Sequence, residues 1–312
     1  PGSSPNPASQ TSPGKRRHPT PFSYTAADIR QYNPAYGRFV DKEIEKLGRN
    51  HPLVRTQYFC EEIDAQAGMF HTGRRALMLG DQPAQDKPIP GHVYAFCIDV
   101  AGQDEALMSN PEAEILYNPG RDAITLTIYD IDLSGVPELG VPTYRVVNRK
   151  TWTGLNHIVI FGKLAALGDI WKPLHWVMDA SGVGEGLWAL LNKKFPTRII
   201  PIKFTAGVKS EIGYGYLAII ETGRYRDCCP SPEVDKQYTA CQAETLTGPA
   251  KLIRWGVPDG TRDPETGDLL HDDIILADAL CSELDKLTWS ISIPTAIIPG
   301  LDPITKEMDR NF

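Results

Sequence analysis

Long apolar runs are missing from this chain. No uninterrupted stretch approaches the roughly 18 apolar residues that can span a bilayer, and no charged-then-apolar signal segment opens it. The expectation is a soluble intracellular protein without membrane contact. Cysteine is sparse: Cys60, Cys97, Cys228, Cys229, Cys241 and Cys281 include no C-x-x-C pair. That spacing fits burial as small apolar groups in a reducing compartment better than a zinc site or a disulfide framework. There is no G-x-x-x-x-G-K-S/T sequence, which excludes an ATP-binding P-loop from this chain. H-E-x-x-H and G-x-S-x-G are absent too, so nothing promotes a zinc protease or a serine hydrolase. Positive charge is in short supply, with 32 Lys+Arg against 39 Asp+Glu and a net charge of -7. This counts against a nucleic-acid partner, because phosphate neutralisation needs a basic surface. The objection is limited: catalytic carboxylates add negative charge that bound cations offset, and binding needs one basic patch rather than a basic whole.

With 312 residues the chain is long enough for one large core with appended segments. Residues 1–23, rich in Pro, Ser and Gly, read as a disordered tail in which Lys15, Arg16, Arg17 and His18 form a solvated charge run. Residues 24–90 read as a helical and linker segment. Asn33-Pro34 caps a helix that carries Phe39, Val40, Ile44 and Leu47 and stops at Gly48, and a second helix covers Pro52 to about Glu62. These pieces are too small for a core of their own, and the Gly- and Pro-rich stretch 71–90 reads as a linker.

The main domain is expected over residues 91–290, with 291–312 as a C-terminal tail. Strands are expected at His92–Val100, Ala123–Tyr129 and Thr143–Asn148, a helix at Trp152–Leu167 ending at Gly168, a strand at His175–Met178, a helix at Val183–Phe195 and a strand at Arg198–Ile202. Three turn-connected strands followed by helix, strand, helix, strand describe a mixed sheet flanked by helices, the order of the ribonuclease-H-like α/β fold. Helices at Lys209–Glu221 and Glu233–Thr245, a strand at Leu252–Val257 and a last helix from His271 through Leu284 complete the reading.

Two expected strands end in aspartate: Asp99 in AFCIDVAGQDE and Asp179 in HWVMDASGVGEG. A carboxylate at a strand exit can be merely structural, but ligands gather beyond the carboxyl ends of adjacent parallel strands, where the two would converge. A third source is HDDIILADAL, where Asp272 and Asp273 begin an apolar helix; helix capping is the competing explanation, and Asp278 should point elsewhere. Like charges brought together are costly unless a cation lies between them. Together the aspartates suit two Mg²⁺ ions about 3.5–4 Å apart and phosphodiester hydrolysis. Around them, Ser181, Gly182 and Gly184 form a turn before a helix that can approach phosphate. Glu185 and His271 are candidates for a supporting role beside the ligands, each balanced by an ordinary solvated or structural reading.

At this point the residues carry a resemblance. RTQYFCEEIDAQAGMF, AFCIDVAGQDE, TWTGLNHIVIFGKL, VMDASGVGEGLWALL, KFTAGVKSEIGYGYLAIIETGRY and HDDIILADALC, in that order, resemble the carboxyl-terminal nuclease portion of tailed-bacteriophage terminase large subunits. The resemblance implies a ribonuclease-H-like fold and Mg²⁺- or Mn²⁺-dependent cutting of concatemeric double-stranded viral DNA during genome packaging. Asp99 and Asp179 match the first two family acids, and the Asp272/Asp273 pair matches the third, with Asp273 favoured. Lys209 matches a basic residue that approaches the DNA or the site, and a solvated helix-start lysine is its bland counterpart. The family's ATPase domain has no counterpart here. Its implied partners are a portal, a small terminase subunit and a homo-oligomeric ring in the host cytoplasm, whereas this domain alone would be a monomer. A junction-resolving or recombination nuclease of the same fold, or a noncatalytic DNA-binding module, are the competing readings.

Overall fold

A computed structural model describes residues 24–61, 68–100, 123–182, 184–247 and 251–290. The expected tails, residues 1–23 and 291–312, lie outside the described residues, as do Glu62 and Val183. Helices α1 (Ala26–Arg30), α2 (Pro34–Leu47), α3 (Pro52–Phe59) and α4 (Thr72–Met78) come first. Then follow β1 (Tyr94–Asp99), β2 (Ala123–Asp132), α5 (Val136–Leu139), β3 (Thr143–Thr153), α6 (His157–Trp171), β4 (His175–Asp179), α7 (Gly184–Lys194), β5 (Ile199–Ile202) and α8 (Ala206–Glu221). The chain continues through β6 (Tyr225–Asp227), α9 (Pro232–Ala240), β7 (Gln242–Thr245), β8 (Ile253–Gly256), α10 (Asp273–Ala279) and α11 (Cys281–Leu284).

The main sheet has six strands in the order β5-β4-β1-β2-β3-β6, and β7 and β8 form a separate hairpin. Strands β1, β2 and β3 pair antiparallel, while β4 runs parallel to β1 and β5 parallel to β4. This is the mixed, helix-flanked sheet of the ribonuclease-H-like architecture.

Strand β1 is buried along its whole length, which explains why its sequence is apolar without alternation. Its period of two still divides it between two cores. Tyr94, Phe96 and Ile98 join Trp176, Met178, Ile160, Leu164 and Leu187 under α6 and α7. Ala95 and Cys97 join Val177, Tyr129, Ile212, Leu217 and Ile275 under α8 and α10. Fully burying one such apolar side chain contributes roughly 1.5–3 kcal/mol, so a one-residue slip of β1, which would exchange the faces, is strongly disfavoured. The same parity places Asp99 and Asp179 on the α8/α10 face, because they continue the rows of Cys97 and Val177.

Several boundaries differ from the expectation, each for a physical reason. The helix expected at Trp152–Leu167 spans His157–Trp171, because β3 continues pairing with β2 as far as Thr153 opposite Ala123. Asn156 supplies the N-cap, accepting from Val159 N. Gly168 does not end this helix: a Cβ there would stand 2.5 Å from Trp176 and 2.7 Å from Phe195, so the glycine serves close packing. The expected helix at Glu233–Thr245 stops at Ala240, and Gln242–Thr245 pairs with β8. The last helix breaks at Leu280 into α10 and α11. Strand β6, parallel to β3, escapes sequence reading because three residues are too few to display a period.

The amino-terminal helices share only a small core of Ala26, Val40, Val54 and Tyr58, in line with the expectation that they need a larger partner. The turn-rich stretch 71–90 is itself strapped to the sheet. Arg74 bonds Glu221 at 2.7 Å and Met69 O at 2.7 Å, Gln82 reaches Val146 O and Arg226 O, and Gln85 N donates to Val147 O. Among the described residues, no helix is long and apolar enough to cross a membrane.

Candidate active site

Asp99 and Asp179 end neighbouring parallel strands, one step beyond the paired Ile98 and Met178. Both are buried, at 6% and 7% exposure, and so is Asp273 at 7%. Asp273 opens α10, which packs across β1 and β2, so three separate elements bring carboxylates to one end of the sheet. Burial pushes the Asp99 carboxyl well above the ordinary carboxylate range; Asp273, Asp179 and Asp272 push it further, and Lys209 opposes them. Asp179 is also raised by burial, but the Ser181 amide, donating to Oδ1 at 2.8 Å, holds part of that shift back.

The other expected positions fall into place around these three. Lys209, in the first turn of α8, stands 3.3 Å from Asp272 Oδ2 and lies over the Trp255 ring. Asp272 is the half-buried N-cap of α10, and its side chain makes no capping bond. Ser181 Oγ accepts from Phe204 N at 2.8 Å, tying the turn after β4 to the exit of β5. Gly182 has φ +50, and a Cβ on Gly184 would stand 2.6 Å from Asp179 O, so both glycines are needed by the backbone. Glu185 is exposed and paired with Lys203 at 3.1 Å. His271 is partly buried, two residues before Asp273. Asp278 faces away from this cluster into a separate buried network, as its spacing from Asp273 implied.

Sequence reading missed two contributors. Gly256, with φ +143, lets Asp272 approach, since a Cβ there would stand 2.3 Å from Asp272 Oδ2. The amide of Ala123 donates to Asp273 Oδ2 at 2.8 Å, and a backbone donor leaves no trace in residue type.

Among the described residues, no group of three or more His, Cys, Asp or Glu side chains is arranged to hold a metal ion. Each of these carboxylates spends one oxygen on a partner: Asp179 on the Ser181 amide, Asp273 on the Ala123 amide, and Asp272 on Lys209. The donor chemistry nevertheless fits a hard divalent cation, because it consists of carboxylate oxygens whose mutual repulsion a cation would relieve.

The mixed sheet flanked by helices is of the ribonuclease-H-like α/β class. It is similar in fold to the large terminase nuclease from thermophilic phage G20c, with 15% identity and a TM-score of 0.47 over 68% of this chain and 96% of that one. The magnesium-bound structure of that nuclease gives 16% identity and a TM-score of 0.46 over 68% and 95%. The large terminase from another thermophilic bacteriophage gives 12% identity and a TM-score of 0.41 over 65% of this chain and 42% of that one. No protein-family profile matches the chain, and no curated protein does.

Proposed function

We propose that this domain is a metal-dependent endodeoxyribonuclease of the terminase large-subunit kind, cutting concatemeric double-stranded viral DNA during packaging. The observation that carries the reading is the buried meeting of Asp99, Asp179 and Asp273 from two strands and a helix, with the Asp99 carboxyl raised by burial first and by its acidic neighbours second. A protein does not gather uncompensated carboxylates in its interior without cost, and a divalent cation is the natural compensation.

Asp99, Asp179 and Asp273 hold the ions, Mg²⁺ or Mn²⁺, with Asp272 beside them. When bound, such ions polarise a phosphodiester and favour attack by water. Lys209, paired with Asp272 at 3.3 Å, is the cation that would meet a DNA phosphate at the site. Ser181, Gly182 and Gly184 shape the turn along which the backbone of the nucleic acid passes, while Glu185 and His271 stand at the margin of the site. Residues 24–90 lead from an ATPase domain, and residues 91–290 form the nuclease. A portal, a small terminase subunit and a homo-oligomeric ring, in the cytoplasm of the bacterial host, are the partners the sequence landmarks support; the isolated domain is a monomer.

Supercoiled plasmid incubated with Mg²⁺, Mn²⁺ or chelator tests the reading. Nicking and linearisation are expected with either metal and none with chelator. A folded domain inert under every divalent ion would overturn it, and a marked preference for branched over linear DNA would reassign it to a junction nuclease.

A further inference from the structure

Helix α10 delivers Asp273 to the site, yet it is only seven residues long and its N-cap makes no side-chain bond. A helix this short does not hold its own position, so its placement must come from outside. Two consecutive residues of α9 clasp it: Gln237 Oε1 accepts from Ile274 N at 3.0 Å, and Tyr238 OH donates to Asp278 Oδ2 at 2.8 Å. Asp278 is fully buried and also accepts from Thr127 Oγ1 at 2.7 Å, Tyr225 OH at 2.9 Å and Arg149 Nη2 at 2.9 and 3.1 Å. Its backbone carbonyl takes the Tyr129 hydroxyl at 2.8 Å, and Arg149 is shared with Asp227 at 2.9 Å. The anchor therefore joins α10 to β2, β3, β6 and α9 at once.

A buried ion pair is a poor way to gain stability, because the desolvation of both charges offsets most of their attraction. Its directional bonds fix a position more sharply than apolar packing does. We infer that Asp278 is a positioning residue for the acidic site: it fixes the height and rotation of α10, and through them where Asp273 stands relative to Asp99 and Asp179. The inference rests on the nuclease reading above.

Asp278→Asn is the variant to measure. It leaves Arg149 paired with Asp227, so no lone charge is buried, but it puts an amide where four donors converge, and α10 must shift to relieve that. Supporting groups of this kind change metal affinity by about 10- to 100-fold. At a temperature where circular dichroism shows the variant folded, Mn²⁺ affinity, read from the electron paramagnetic resonance of the free aqua-ion, is expected to fall at least about tenfold. The kcat on plasmid should fall with it, while KM for DNA stays unchanged, and cooling should not restore either. Tyr238→Phe removes one donor at constant shape and should produce a smaller loss of the same kind; it carries the test if Asp278→Asn does not fold. Mn²⁺ binding and cleavage equal to wild type in the folded variants, or losses that track the unfolded fraction and vanish on cooling, would overturn the inference. Wild-type protein that neither binds Mn²⁺ nor cleaves would instead remove the nuclease reading beneath it.

Discussion

Asp272 and Asp273 are adjacent in the chain yet take partners from different elements: Asp272 Oδ2 meets the Lys209 ammonium at 3.3 Å, while Asp273 Oδ2 accepts from the Ala123 amide at 2.8 Å. Asp273 is also the charge that acts most strongly on Asp99. The two carboxylates should therefore differ in function. Asp99→Asn, Asp179→Asn and Asp273→Asn are each expected to lower plasmid cleavage by at least about 100-fold, as loss of one preorganised charge at a reacting centre does. Asp272→Asn should cost no more than about tenfold. Initial rates on supercoiled DNA, with circular dichroism to confirm folding, decide this; a larger loss from Asp272→Asn than from Asp273→Asn would exchange their roles.

The second expectation concerns pH. The Asp99 carboxyl is raised well above its ordinary value of 3.8, so between 3.8 and that raised value the folded state binds more protons than the unfolded one. Stability therefore falls as pH rises through that window, by at most about 1.4 kcal/mol per pH unit for this one group. Thermal unfolding in chelator should show that decline, and Asp99→Asn should flatten it and raise the melting temperature at neutral pH. A divalent ion should recover stability in the wild type, release protons on binding and bind more weakly in acid. An unchanged pH profile in Asp99→Asn would contradict the assignment.

Lys209→Gln should weaken DNA binding and reduce the slope of log affinity against log salt by about one, the change expected from a single phosphate contact. Glu185→Gln, which only breaks an exposed pair with Lys203, should leave binding and cleavage within about twofold. Fluorescence anisotropy over a salt series separates the two. An unaltered slope in Lys209→Gln would confine that lysine to its pairing with Asp272.

Gly184→Ala puts a methyl group 2.6 Å from the Asp179 carbonyl oxygen, which neither the strand nor the turn can easily yield. A loss of about 1–3 kcal/mol is expected from such overpacking, with reduced cleavage because the turn also sets Asp179. Urea unfolding measures the first and plasmid nicking the second. Gly186→Ala, with open space at the Cβ position, is the matched control and should do neither.

Much of the fold was legible because its signals are local. The apolar run Tyr94–Ile98, the cap at Asn33-Pro34 and the Gly-rich turn after Asp179 each carry their structure in a few residues. The errors cluster where a distant partner overrides local preference. Gly168 looks like a helix stop until Trp176 is packed against it, Gln242–Thr245 looks helical until β8 lies alongside, and the stretch 71–90 looks like a linker until Arg74 meets Glu221.

By itself the sequence determined the order of the five main-sheet strands β1–β5 and the two helices between the last three of them, the ribonuclease-H-like arrangement that follows from it, and the placing of aspartates at the ends of two strands and the start of a helix. Side-chain periodicity and turn chemistry act within a few residues of chain, so they can be read there. Only the tertiary structure decided that Asp99, Asp179 and Asp273 share one buried end of the sheet, that Lys209 takes Asp272, and that Asp278 anchors α10 from below. Those facts depend on contacts between residues up to 151 positions apart, such as Thr127 with Asp278, and on backbone amides such as that of Ala123. Burial and through-space charge exist only once the chain has closed on itself.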